Sequence, residues 1–216
     1  MNTKPITIGQ DGVRAANVRR GRVLEYLTIG WNCLEAVAAL IAGLRAGSIA
    51  LVGFGFDSLI EVASSFALLW RLHLDAPEQR ERAEARALKI VGVCFILLGG
   101  YICIDSVRSL FGHRPPDKSY LGIAVTAAAV VVMPLLSRAK RRVAANINSR
   151  AMHADSRQSD LCAYLSAITL VGLGLNALFG WWWADPVAAL IMIPIIVKAG
   201  IEALRGETCC DEGNCR

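Results

Sequence analysis

The chain has 216 residues, 55% of them hydrophobic, with 23 Lys and Arg against 18 Asp and Glu, a formal net charge of +5 and a mean hydropathy of +0.46. The excess of base lies between apolar blocks and not on a face interleaved with aromatics, which excludes nucleic-acid binding as its meaning. Seven cysteines, an odd number split between apolar blocks and a tail, do not describe a disulfide-stapled secreted domain.

Segment 1–22 is polar and lacks a short apolar run followed by a small-residue cleavage site, so no signal peptide is expected and the first apolar block serves as a retained anchor. The apolar blocks that follow each reach the roughly 20 residues that a bilayer-crossing helix needs. The first span is expected over 23–45 and the second over 48–70. The charged stretch Ala76–Arg86 then reads as a short loop or a helical extension. The third span is expected over 89–111, the fourth over 119–137 and the fifth over 155–180. Asp185-Pro186 opens the sixth, 185–203, with proline in the first turn. The expected fold is therefore an all-α membrane protein of six transmembrane helices. It divides into an N-terminal segment 1–22, a membrane domain 23–205 and a Cys-rich tail 206–216.

Charge sets the expected orientation. Arg14, Arg19, Arg20 and Arg22 precede the first span. Arg71, Arg80, Arg82, Arg86 and Lys89 separate the second and third, and Arg138, Lys140, Arg141, Arg142 and Arg150 separate the fourth and fifth. The alternate links carry far less base. Lys and Arg stay inside, so both termini are expected in the cytoplasm of a multi-pass cell-membrane protein. Trp181, Trp182 and Trp183 then mark the outer interface, as indole rings do.

Ionisable groups inside a span are expensive and point to function. Asp57 and Glu61 are four residues apart, so a helix presents both carboxylates on one face. Such a pair repels itself unless a cation or protons neutralise it. It suits divalent-metal binding when ionised, and interhelical hydrogen bonding by protonated acids is the alternative. Asp155, Gln158 and Cys162 are spaced by three and four, again on one face. Carboxylate, amide oxygen and thiolate together can coordinate a divalent ion, and the thiolate favours softer metals. The alternatives are a helix cap for Asp155 and plain core for Cys162. Asp160 points away and is expected to be solvated. Glu35 and Asn32 in the first span are secondary candidates, as is Asp105, for which an ion pair with Arg108 is expected. His153 and the thiols Cys209, Cys210 and Cys215 are weaker metal candidates, an unstructured tail with incidental thiols being the other reading. No nucleophile–base arrangement or HExxH motif is present, so no enzyme is expected, and no cofactor.

Gly47-Ser48-Ile49-Ala50-Leu51 leading into Asp57-Ser58-Leu59-Ile60-Glu61, then Ala154-Asp155-Ser156-Arg157-Gln158 through Cys162, then Trp183-Ala184-Asp185-Pro186, resemble in order the motifs of the cation diffusion facilitator family. The likeness covers about 23–205. It implies divalent metal/proton antiport by alternating access, with zinc, cobalt or cadmium as the cargo class. Protons and divalent ions would be the substrates and the bilayer the setting, and any homodimer would form through the membrane helices. It also implies a tetrahedral site at Asp57, Glu61, Gln158 and Cys162. There Gln158 stands where the family has histidine and Cys162 where it has aspartate, with Asp155 as a compensating ligand. The family's cytoplasmic domain after the sixth helix is not expected in this chain. A non-transporting metal sensor or accessory protein, working through the Cys tail, is the alternative.

Overall fold

The computed structural model describes the backbone of residues 8–72, 77–113, 115–147 and 150–205. The described residues form six helices: α1 Ile8–Ala46, α2 Ile49–Leu72, α3 Pro77–Gly112, α4 Tyr120–Ile147, α5 Arg150–Phe179 and α6 Ala184–Arg205. All six are long and apolar enough to cross a membrane. The expected spans all form, but the helices overrun them. α1 begins before residue 23, the 76–86 stretch joins α3 from Pro77 onward, and α5 begins at Arg150. The largest difference is in α4. The basic run Arg138–Arg142, read from sequence as a link, continues the helix to Ile147.

The bundle exposes large apolar side chains on its outside and buries polar and charged ones beside an apolar core that includes Leu51, Phe54, Ile102 and Met192. Leu34, Leu97, Val131 and Val171 are exposed, whereas Glu25, Asn32, Glu35, Asp57, Glu61 and Lys140 are buried. Lipid tails are as apolar as leucine, so helix association rests on close packing and on polar contacts between helices. Backbones approach closely where glycines allow it. A Cβ on Gly92 of α3 would fall 2.8 Å from the Gly200 carbonyl oxygen of α6, and one on Gly172 of α5 would fall 2.7 Å from the Ala188 methyl of α6. α2 is the central helix. It packs on α1, α3, α5 and α6, and 67% of its spanning window is buried against 28% for α4. Chemistry carried on α2 is thereby kept away from lipid.

One end of the bundle is tightly knitted. Gly47, at φ 64°, ends α1 in the left-handed conformation glycine tolerates, and the Ser48 amide returns to the Gly43 carbonyl at 3.0 Å. Asp185 of α6 then caps α2. Its Oδ2 accepts from the Ile49 amide at 2.8 Å, and its Oδ1 accepts from the Ser48 hydroxyl. The orphan donors of a buried helix N-terminus are met this way by a carboxylate from another helix. The Asp117 amide donates to the Ala46 carbonyl at 2.7 Å, and Asn176 Nδ2 donates to the Pro116 carbonyl at 3.0 Å. The Trp181 and Trp183 rings stack at 5.1 Å on this same end.

Candidate cation-binding centre

The site grows from three polar stripes that the helical repeat aligns. On α1, Glu25, Thr28, Asn32 and Glu35 recur every three or four residues and all are buried. On α2 the stripe is Asp57, Ser58, Glu61 and Ser65, and on α5 it is Asp155, Ser159, Cys162 and Ser166. Every member is shielded from lipid, so each polar group is obliged to find a partner among the others or a bound species.

Asp57 and Glu61 lie on one face of α2 as expected, 2% and 0% exposed. Glu61 Oε1 accepts from the Ser159 hydroxyl of α5 at 2.6 Å. Glu35 of α1 closes the group from the other side. Its Oε1 accepts from Ser58 at 2.6 Å and from the Cys162 thiol at 3.4 Å, and its Oε2 accepts from Trp31 Nε1 at 2.6 Å. The Cys162 thiol is the electrostatic neighbour of Glu35, Asp57 and Glu61 together. Cys162 belongs to the buried apolar core of the bundle and its thiol also faces these acids. Oδ2 of Asp57, Oε2 of Glu61 and both amide atoms of Asn32 are buried without a hydrogen-bond partner.

The other candidates from sequence fall differently. Gln158 is half-buried with Nε2 unpartnered, and no hydrogen bond joins it to the acids among the described residues. Asp155 is not a helix cap, since α5 begins at Arg150, five residues earlier. Its Oδ2 is instead ion-paired with Lys140, a buried contact. Asp160 is not simply solvated, for both its oxygens lie 2.7 Å from Arg141 Nη2. Asp105 accepts from the Tyr101 hydroxyl at 3.4 Å and makes no ion pair with Arg108 among the described residues. His153 is exposed. Cys209, Cys210 and Cys215 lie outside the described residues.

Sequence reading missed Glu25 and Lys140. Lys140 looked like one more base in a link, but the buried stripe of α4 passes Thr126, Ala129, Met133, Ser137 and Lys140 at helical spacing, and that periodicity was the available signal. Among the described residues, no three His, Cys, Asp or Glu side chains converge closely enough to hold a metal ion. The acids are turned toward hydroxyls and a thiol, with one free oxygen each on Asp57 and Glu61. Rotation of these side chains toward one another is what ligation would require, since ligand bonds to a zinc-like ion run about 2.0–2.3 Å.

Comparison with known proteins gives this arrangement a context. Residues 26–207 match the model of the cation efflux transmembrane domain. The chain is 28% identical over 194 residues to an uncharacterized transporter, sll1263, of Synechocystis, covering 87% of this chain and 63% of that one. It is 26% identical over 201 residues to the cation-efflux pump FieF of Salmonella typhi, covering 88% and 67% respectively. To the manganese efflux system protein MneS of Bacillus subtilis it is 23% identical over 192 residues, covering 86% and 66%. The chain thus spans about two thirds of the length of these relatives. With six membrane-length helices and a match over most of its residues, this multi-pass membrane protein belongs to the cation efflux transmembrane domain family.

Proposed function

We propose that the protein exports a divalent transition-metal cation, of the zinc, cobalt or cadmium class, from the cytoplasm in exchange for protons. The observation that carries this reading is the buried group Asp57, Glu61, Glu35 and Cys162, three carboxyls and a thiol at the centre of the bundle. Net negative charge buried there is costly, and a divalent cation or bound protons would relieve it. Asp57, Glu61 and Cys162 are the proposed ligands, with Glu35 as a fourth donor. Gln158 and Asp155, one turn apart on α5, would meet the ion only after rearrangement.

Proton coupling follows from competition. A carboxylate or thiolate ligand must be deprotonated to bind metal, so protons arriving from one side displace the ion and the ion displaces protons. Alternating access supplies the direction. The concentration of Lys and Arg in segment 1–22 and around the α2–α3 and α4–α5 links supports cytoplasmic termini. The manganese efflux relative is a reason to include Mn2+ among the ions tested.

The test is a metal panel on proteoliposomes carrying a pH-sensitive dye. Zn2+, Co2+ or Cd2+ is expected to drive a proton flux that Asp57→Ala abolishes. Unchanged flux in that variant would remove Asp57 from the site, and the absence of flux with every ion would remove the antiport reading.

A further inference from the structure

Buried charge does not end at the acid pair. Lys140 of α4 is 0% exposed. Its Nζ donates to Asp155 Oδ2 of α5, and it lies 3.4 Å from Ser159 Oγ and 3.6 Å from Glu25 Oε2 of α1. Ser159 in turn donates to Glu61 at 2.6 Å. A run of polar contacts therefore leads from the middle of α2 to an ammonium near the end of the bundle that carries the α4–α5 link.

Two features set this apart from a closed salt bridge. First, two buried carboxyl groups face one ammonium, so the group offers more oxygen ligands than Lys140 alone engages. Second, buried carboxyl oxygens around it lack partners. Glu25 Oε1 and Asp155 Oδ1 are buried without a hydrogen-bond partner, and the buried Ser65 hydroxyl is the neighbour of Glu25. Toward the acid pair, the buried amide of Asn32 is the neighbour of Glu61. Buried polar atoms left in this number along one seam call for an occupant. Carboxylate, hydroxyl and amide oxygens suit a hard divalent cation.

We propose that Lys140 is a tethered stand-in for the transported ion. Its ammonium fills a second, oxygen-lined cation position made by Glu25 and Asp155, further along the seam from Asp57 and Glu61. A divalent cation in transit takes these two carboxylates, and the Lys140 ammonium is displaced. Exchange of one positive charge for two neutralises the pair. This rests on the reading of the protein as a divalent-cation carrier, but not on Asp57 and Glu61 being its ligands.

The experiment is equilibrium dialysis of the purified full chain against Mn2+. Lys140→Met, which removes the competing ammonium, is expected to bind a second equivalent of Mn2+ severalfold more tightly than the unmodified protein. That equivalent should persist when Asp57→Asn and Glu61→Gln are added, which separates it from the acid-pair site, and vanish with Glu25→Gln. A Lys140→Met variant that keeps its helical circular dichroism and elutes as a single species, yet binds the second Mn2+ no more tightly, overturns the proposal. The unmodified side chain offers a second readout that needs no Lys140 variant. Acylation of Lys140 by an amine reagent, followed by peptide mass spectrometry, should rise severalfold with added Mn2+, also in the Asp57→Asn/Glu61→Gln protein. Acylation indifferent to Mn2+ overturns it as well.

Discussion

Asp185, in the first turn of α6, accepts the backbone N–H of Ile49, the first residue of α2, at 2.8 Å, and accepts the Ser48 hydroxyl with its other oxygen. The helix that bears Asp57 and Glu61 is thus fixed at its origin by a residue 136 positions away in sequence. Loss of this cap leaves two buried donors without a partner. Asp185→Ala is expected to lower stability by about 1–3 kcal/mol, and Asp185→Asn, which keeps one acceptor, by less. Thermal unfolding followed by circular dichroism in detergent measures the order.

Proton release reports on the acid pair directly. Metal binding to the unmodified protein should release protons and weaken as pH falls, because ligands must be deprotonated. Glu61→Gln and Asp57→Asn should each release fewer protons per ion bound and bind about 100-fold more weakly or worse, a loss at least as large as that seen for outer-shell partners. Calorimetry in two buffers of different ionisation enthalpy gives the proton count. An unchanged count in Glu61→Gln would exclude Glu61 as a ligand.

Cys162 governs the choice of metal if its thiol joins the ion. Cys162→Asp replaces a soft donor with a hard one, so preference for Cd2+ over Mn2+ should fall by about tenfold or more. Competition binding at fixed pH checks this. Equal preference before and after would return Cys162 to a packing role beside Glu35.

Two ion pairs of the same chemistry should differ widely in worth. Lys140 is buried between Glu25 and Asp155, whereas the Arg141–Asp160 pair is 46% and 28% exposed. Lys140→Ala strands two buried carboxylates and is expected to cost about 3–5 kcal/mol. Arg141→Ala should cost less than about 1 kcal/mol. Denaturation midpoints of the two variants compare them.

Close helix crossing makes Gly92 sensitive and Gly100 tolerant, although both sit on α3. A Cβ at Gly92 meets Gly200 O at 2.8 Å and Leu204 N at 3.0 Å, backbone atoms that cannot rotate away, whereas one at Gly100 meets nothing within 4 Å. Gly92→Val should destabilise by about 1–3 kcal/mol or more, and Gly100→Ala by no more than about 0.5 kcal/mol. Thermal unfolding of both variants tests the α3–α6 contact.

The sequence by itself determined the membrane class, the six helices and the burial of Asp57 and Glu61. These follow from block hydropathy and the helical repeat, which are local properties. It misjudged the C-terminal end of α4, because a run of bases reads as a link while the buried stripe beneath it continues to Lys140. Glu35 stood as a secondary candidate until α1 was packed on α2, which puts its carboxyl within 2.6 Å of Ser58. Asp155 looked like a ligand or a cap from its spacing on α5, but the tertiary structure pairs it with Lys140. Only the tertiary structure decides which partner a buried charge takes, because that depends on which helices meet and at what height. Spacing along one helix says which groups share a face; the facing helix says what neutralises them.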